Sequence, residues 1–355
     1  MPKVYYCQES AFGDFVNELR SNFRVLSPLK KENPLQKEDD YSCRQIQGRH
    51  IFVFNPYRVI EPLKSFLTAP REEASEYFNS PRDPAGHPGP TVIIGVKNCG
   101  LTSLKVQDFV FLEGAEVDSL YSLRRQNTIL ISSDCTAYRK ACFCLALEIL
   151  PYPASGFDIN LSPLTDGYLL ETGSRRGEEL IEKNRGYFIP ARETQLEARR
   201  MKREKFIEGF KKSLLAQNIP SRDSLQRLVR DGYNLETWQD FMLTCVECGG
   251  CNLICDTCHC FLLSDNKSAR TNIRLRSWDS CQYENFGRVA GGANPLRTRT
   301  KRLRNRFMKK FDFFVDNLGM PACCGCGRCI EVCPGKIDIR EVLKDLKNRL
   351  ALSKA

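Results

Sequence analysis

The sequence lacks several features that would assign it to a class at once. No apolar run approaches the roughly 18 residues of a transmembrane helix, so we expect no insertion into a membrane. Residues 1–6 lack the apolar segment of a signal peptide, so we do not expect secretion. No G-x-G-x-x-G follows a strand-like segment, which argues against a flavin or nicotinamide site in the chain itself. No acid–base or nucleophile–base constellation stands out, which disfavours substrate chemistry by this chain.

Cysteine, by contrast, is abundant. The chain has 355 residues, of which 18 are cysteine and only 3 are histidine. Without a signal peptide, this number argues against a disulfide scaffold and favours metal binding or redox chemistry in a reducing compartment. We therefore expect a cytoplasmic protein that uses its thiolates as metal ligands.

Two cysteine runs carry the strongest signal. The spacing C-x2-C-x2-C-x3-C occurs twice, and Pro334 follows the second copy. In bacterial ferredoxins this spacing binds two [4Fe–4S] clusters, and the fourth cysteine of each run ligates the other cluster. We therefore predict two clusters, although a pair of zinc sites is an alternative that rarely uses this spacing. The predicted ligands are Cys245, Cys248, Cys251 and Cys333 for the first cluster, and Cys323, Cys326, Cys329 and Cys255 for the second.

Seven further cysteines have no ferredoxin spacing, and they include two C-x-C pairs. One interpretation is a third iron–sulfur cluster between two domains; the other is a set of small buried residues. His259, inside one pair, is a candidate ligand, whereas Cys324, Cys7 and Cys43 are predicted not to be ligands. The candidate ligands of the third cluster are Cys99, Cys135, Cys142, Cys144, Cys258, Cys260 and Cys281.

The hydrophobic pattern predicts an α/β N-terminal domain. Residues 91–96 and 128–132 are apolar runs typical of strands buried on both faces, and their separation suits a crossover helix. We therefore expect a mainly parallel sheet, with a further strand at residues 51–54. A long charged helix is predicted over 193–215. We place a domain boundary there, which gives an α/β domain over 1–215 and a mainly α-helical, ferredoxin-like dicluster domain over 216–355.

Residues 297–310 hold eight cations and no acid. Nucleic-acid binding is one interpretation of this basic stretch. A second is that the cations offset cluster charge and bind an acidic partner, and a third is a solvated helix face. The formal net charge of +10 does not decide between them, because two clusters with four thiolates each would remove about four units.

The order of these motifs resembles the 4Fe-4S dicluster subunit family, which includes the A subunit of anaerobic sulfite reductase and the β subunit of soluble nickel–iron sulfhydrogenases. The resemblance covers nearly the whole chain. Asp256 stands where the family usually has proline, and Gly100 where it usually has aspartate. A carboxylate at 256 would lower the reduction potential of a neighbouring cluster. The matching segments are EPLKSFL (61–67), GVKNC (95–99), CFC (142–144), residues 245–260, WDSC (278–281) and residues 323–339.

The resemblance implies an iron–sulfur electron-transfer subunit of a soluble multi-subunit oxidoreductase. Its expected partners are a flavin- and NAD(P)-binding subunit and a catalytic subunit of hydrogenase, sulfite or sulfur reductase, or heterodisulfide reductase type. The alternative is a nucleic-acid-processing protein with structural clusters, which the basic stretch would favour. Two clusters that face each other favour electron transfer, since a structural role needs only one.

Overall fold

The computed structural model describes residues 3–31, 39–76, 89–267 and 272–353. A large sheet dominates the N-terminal part, and helices together with a small sheet make up the C-terminal part. The strands are β1 (Val4–Gln8), β2 (Arg24–Lys31), β3 (Asp40–Gln45), β4 (Arg71–Glu76), β5 (Thr91–Val96), β6 (Thr128–Ser133), β7 (Ile159–Pro163), β8 (Gly167–Thr172), β9 (Ile189–Pro190), β10 (Phe261–Lys267) and β11 (Asn272–Trp278). The helices are α1 (Glu9–Leu19), α2 (Asn98–Leu112), α3 (Ser119–Gln126), α4 (Arg175–Lys183), α5 (Glu193–Leu215), α6 (Leu225–Asp231), α7 (Thr237–Met242), α8 (Gly250–Leu253), α9 (Arg299–Met308), α10 (Phe314–Leu318), α11 (Arg328–Glu331) and α12 (Ile339–Leu352).

The large sheet is mixed, so the prediction of a mainly parallel sheet is wrong. Its strand order is β3-β2-β5-β6-β7-β8-β1-β9. The pairs β2–β5, β5–β6 and β6–β7 are parallel, whereas the other four neighbouring pairs are antiparallel. Only residues 164–166 join β7 to β8, and a parallel crossover needs a dozen or more residues.

The predicted βαβ unit is present and places two cysteines together. Strands β5 and β6 are buried at every residue, as their apolar runs indicate, and α2 and α3 connect them. Because the two strands are parallel, their carboxyl ends lie at the same edge of the sheet. Cys99 comes three residues after β5 and Cys135 two residues after β6, so both lie at this edge.

The predicted strand at residues 51–54 does not form. Ile51 is 85% exposed, while Phe52 is buried and packs its ring 4.8 Å from that of Phe12. The side chain of Asn55 donates hydrogen bonds to the carbonyl oxygens of Tyr57 and Gly95, each at 2.9 Å. These contacts fix the segment across the end of the sheet without a ladder of backbone hydrogen bonds.

The C-terminal helices share a second hydrophobic core with residues from the N-terminal part. Phe143 and Leu147 belong to this core, together with Phe210 from α5. The bounds of α5 confirm the predicted long helix at 193–215. The small sheet has the order β10-β11-β4, so it combines one strand from before residue 215 with two strands from after it. The domain boundary near residue 215 stays a prediction.

Two glycines allow the loop of the second cysteine run to pack against the first C-x-C pair. Gly325 and Gly327 have φ angles of +62° and +73°, which side chains rarely adopt. A Cβ atom on Gly325 would lie 2.5 Å from Cα of Cys144, and one on Gly327 would lie 2.2 Å from the carbonyl oxygen of Ala141. The absence of side chains therefore lets the two cysteine-bearing loops make backbone contact.

Candidate metal centres

The first predicted ligand set surrounds one cavity. This cavity lies between the loop before α8, the helix α9 and the turn after α11, and Arg306 and Phe307 contribute to its wall. Burial raises the pKa of the Cys245 thiol, and the neighbouring Cys333 and Cys248 add to this shift. The cysteines that line the cavity are Cys245, Cys248, Cys251, Cys329 and Cys333, so the fourth cysteine of the second run meets the first three of the first run.

The second predicted ligand set is also brought together. Burial raises the pKa of Cys323 to about 12, and charges on Cys329 and Cys255 contribute to this shift. Burial also raises the pKa of Cys329, and the neighbouring Cys255 and Cys326 add to this shift. The fourth cysteine of the first run therefore lies beside the first three of the second run, which is the exchange that the ferredoxin spacing predicts.

The spacing of these thiols differs from that of a site for one ion. Among the described residues, no three His, Cys, Asp or Glu side chains lie close enough to hold a single metal ion. A [4Fe–4S] cluster takes one thiolate on each of four irons, so its ligands are spread around a larger group.

Buried cations provide a test of whether these residues fit an anionic cluster. Lys64, Arg306 and Lys310 are at most 5% exposed, and within the described part of the chain the charged side-chain group of none of them forms an ion pair with a carboxylate. A buried charge without compensation is expensive. The Nζ atom of Lys310 lies 3.3 Å from Sγ of Cys255 and 3.6 Å from Sγ of Cys258. Thiolates that carry an anionic cluster would supply the missing negative charge, so the residues fit the group.

Asp256, which departs from the family pattern, forms a buried ion pair. Its Oδ2 atom lies 2.7 Å from Nη1 of Arg328, and both side chains are at most 5% exposed. The guanidinium of Arg328 also donates to the carbonyl oxygens of Val59, Ile60 and Glu61. Asp256 therefore ties the first cysteine run to residues 59–61, and Arg328 compensates its charge.

The seven remaining cysteines separate into two groups. The first group, which we call the quartet, consists of Cys99, Cys135, Cys142 and Cys144. Charges on the other three add to burial in raising the pKa of Cys144. The quartet adjoins the second ligand set, because Sγ of Cys142 lies 3.8 Å from the carbonyl oxygen of Cys326. The Nζ atom of Lys97 donates to Ser133 and to the carbonyl oxygen of Asp134, so this buried cation lies next to the quartet.

The second group, the trio, consists of Cys258, Cys260 and Cys281 and surrounds the buried side chain of Asn252. The Nδ2 atom of Asn252 lies 3.0 Å from Sγ of Cys281, and its Oδ1 atom lies 3.6 Å from Sγ of Cys258. A hydrogen bond from Cys260 lowers the pKa of the Cys281 thiol to about 5. Hydrogen bonds therefore link the three thiols of the trio to one another or to Asn252.

Two comparisons with known proteins agree with this geometry. Residues 244–337 match the 4Fe-4S dicluster domain family. Over 340 residues, the chain is 30% identical to sulfhydrogenase 2 subunit beta of Pyrococcus furiosus, and the alignment covers 96% of this chain and 97% of that protein. The chain belongs to the 4Fe-4S dicluster subunit family. It is an iron–sulfur, electron-transferring oxidoreductase subunit that binds clusters of the 4Fe–4S type.

The basic stretch of this dicluster subunit contains both accessible and buried cations, and Arg297, Arg299 and Lys301 are exposed. Arg302 and Arg306 on α9 and Lys310 just after it are buried with at most 5% exposure, so these three cations do not form a solvated face. These three cations are also not available to contact phosphates of a nucleic acid or the surface of an acidic partner. Arg306 and Lys310 lie instead among the predicted cluster ligands, which supports the charge-offset part of the second interpretation.

The other cysteines and His259 lie away from these cavities or have partners of their own. Cys7 and Cys43 are buried in the N-terminal cores with 1% and 2% exposure. Cys324 faces Cys326, whose pKa it lowers to about 5 by a hydrogen bond. Nδ1 of His259 lies 3.3 Å from the carbonyl oxygen of Thr257, and burial lowers the pKa of this histidine to about 4.

None of the helices that the structure describes is long and apolar enough to cross a membrane.

Sequence reasoning missed the cations that come from distant parts of the chain. Arg58 donates from Nε to the carbonyl oxygen of Cys326 at 2.5 Å and from Nη2 to Glu331 at 2.6 Å. Lys64 donates from Nζ to the carbonyl oxygens of Asn252 and Cys258. Lys64 lies within the matching segment EPLKSFL, which is the signal that could have identified it.

Proposed function

We propose that this chain is the iron–sulfur electron-transfer subunit of a cytoplasmic multi-subunit oxidoreductase. It connects a flavin- and NAD(P)-binding subunit with a catalytic subunit of hydrogenase, sulfite or sulfur reductase, or heterodisulfide reductase type. The observation that carries this proposal is the meeting of two exchanged cysteine sets beside buried, otherwise uncompensated cations. The relative's name supports a complex of the hydrogenase type, since that protein is the beta subunit of a sulfhydrogenase.

Two [4Fe–4S] clusters would each supply one-electron redox chemistry. The first is held by Cys245, Cys248, Cys251 and Cys333, and the second by Cys323, Cys326, Cys329 and Cys255. The protein's own part is to fix these thiolates, to keep water from the second set and to balance the charge with buried cations. In the second set Cys255 and Cys326 are buried and Cys323 and Cys329 are half-buried, which supports a site that exchanges electrons inside the protein rather than with solvent.

The first ligand set reaches the surface, which supports contact with a partner there. Cys248 is exposed. Val332 lies close to it, because both side chains adjoin Gly250: a Cβ atom placed there would lie 3.5 Å from Sγ of Cys248 and 3.6 Å from Val332. Val332 and Val246 are 42% and 64% exposed. Exposed apolar side chains beside an exposed ligand are typical of a surface that a partner covers.

We also propose a third cluster, held by the quartet. Four buried or half-buried thiols come together there, and Lys97 and Arg58 place positive charge beside them. Cys99 and Cys135 reach the site because they follow neighbouring parallel strands, and the C-x-C pair reaches it through the backbone contact at Gly325. The quartet therefore extends the series of thiol sites from the first set, through the second, into the N-terminal sheet.

Changing Cys144 to serine should remove about four iron atoms per chain and leave the two ferredoxin-type clusters in place. Cys260→Ser, in the trio, is the matched control and should keep all the iron. Iron and labile sulfide analysis of the anaerobically purified variants measures both. The opposite pattern, with iron lost from Cys260→Ser and retained in Cys144→Ser, would place the third cluster in the trio.

Native purification with identification of the bound subunits tests the proposed function. The complex should oxidise NADH or NADPH and reduce the acceptor of its catalytic subunit. The isolated, iron-loaded chain should do neither, because it supplies only one-electron carriers. Oxidation of NADH or NADPH by the isolated chain would contradict the proposal, since it would require a cofactor site within this subunit.

A further inference from the structure

Arg306 is a buried cation with an unsatisfied hydrogen-bond donor. It lies on α9 and is 5% exposed. Its Nε atom donates to Oδ1 of Asn252 at 3.0 Å. Its Nη2 atom, however, has no hydrogen-bond partner among the described residues. A buried guanidinium N–H without an acceptor is costly, so its presence indicates an acceptor that belongs to a bound group.

The surroundings of Arg306 indicate where this acceptor lies. The side chain lines the cavity that the first ligand set surrounds. Cys251 and Cys329 line the same cavity, and Cys258 and Cys255 are also close enough to interact electrostatically with the guanidinium. Cys251 belongs to the first predicted ligand set, whereas Cys329 and Cys255 belong to the second. Arg306 therefore lies between the two sets.

The other buried cations do not share this position. The thiols nearest to Lys310 are Cys255, Cys258 and Cys323, which leaves out the first ligand set. Arg328 lies beside Cys326 and is compensated by Asp256. Of the three, Arg306 alone faces cysteines of both predicted sets.

We propose that Arg306 donates a hydrogen bond from Nη2 to a sulfur atom of the first cluster and that its charge raises the reduction potentials of both clusters together. This inference rests on the proposed function, because it requires both clusters. A hydrogen bond to a cluster sulfur and a nearby positive charge both stabilise the reduced, more negative form. One residue thereby shifts both potentials in the same direction, and the shift is larger for the first cluster, which also accepts the hydrogen bond.

The test is a redox titration of the anaerobic, full-length protein, followed by electron paramagnetic resonance. Arg306→Gln removes the charge and should lower the potentials of both clusters. Arg306→Lys keeps the charge but loses the forked donor, so both shifts should be smaller. Lys310→Met should lower only the potential of the second cluster. Arg304→Gln is the matched control on α9, because Arg304 stacks on Tyr233 and its Nη1 donates to the carbonyl oxygen of Tyr233, away from the ligand sets.

Wild-type potentials in an iron-replete Arg306→Gln variant would overturn the inference. Loss of iron from both Arg306→Gln and Arg306→Lys would also overturn it, because the residue would then serve assembly and not potential. A wild-type protein without [4Fe–4S] signals would overturn the proposed function itself. The two failures are therefore distinguishable by the behaviour of the wild-type sample.

Discussion

Replacing Cys251 with alanine should remove about four iron atoms per chain and most of the resistance of the C-terminal part to proteases. Cys251 lies in the short helix α8 and lines the cavity of the first ligand set. Without its thiolate the first cluster loses one of four ligands. The buried cations beside it then lose the negative charge that compensates them, so Arg306 becomes a destabilising group. Iron and sulfide assays with limited proteolysis measure both effects.

The matched control for this variant is Cys7→Ala. Cys7 is a fully buried thiol in the core of the large sheet, so the change creates a similar cavity without touching a predicted ligand. The control should keep all its iron and its proteolysis pattern. A Cys251→Ala variant that stays fully loaded and equally resistant would show that Cys251 is not a ligand.

Changing Asp256 to leucine should destabilise the protein by about 3–5 kcal/mol, because it leaves Arg328 buried without a counter-charge. The side chain of Asp256 is fully buried, so water cannot replace the lost carboxylate. The midpoint of thermal unfolding under anaerobic conditions, followed by circular dichroism, should fall by roughly 5–10 °C. The contact between residues 59–61 and the first cysteine run should loosen at the same time.

Two further variants check the cause of this loss. The double variant Asp256→Leu with Arg328→Met removes both charges and should recover part of the lost stability, although the carbonyl oxygens of residues 59–61 lose their donor. Glu179→Gln breaks the exposed pair with Arg175 and should cost at most about 1 kcal/mol. An Asp256→Leu variant as stable as the wild type would mean that the ion pair does not hold the two parts together.

The sequence predicted the parts of the fold whose signal is local. Strands β5 and β6 are apolar throughout, and their spacing indicates a crossover, so the parallel unit could be identified. The antiparallel half could not, because β7 carries the buried polar residues Asn160 and Ser162 and does not have the pattern of a core strand. Residues 51–54 are apolar in sequence, but only tertiary contacts decide that they pack without pairing.

In the candidate centres, too, the features with a local sequence signal could be predicted, whereas those set by tertiary contacts could not. Spacing predicted the first three ligands of each ferredoxin-type set, because local loop geometry brings them together, and the ferredoxin pattern predicted the exchange of the fourth. It could not divide the other seven cysteines, whose meeting depends on which strands are neighbours. It also gave no sign that Arg306 and Lys310 are buried, since a cationic helix face has the same pattern whether water or thiolates lie opposite.

The content of iron, labile sulfide and zinc in the anaerobically purified wild-type chain tests the central claim most directly. Two ferredoxin-type clusters require about eight iron and eight sulfide per chain, and the third cluster raises each to about twelve. We predict about twelve of each and no stoichiometric zinc. Zinc in place of iron, or fewer than about eight iron atoms in a fully reconstituted sample, would contradict the account.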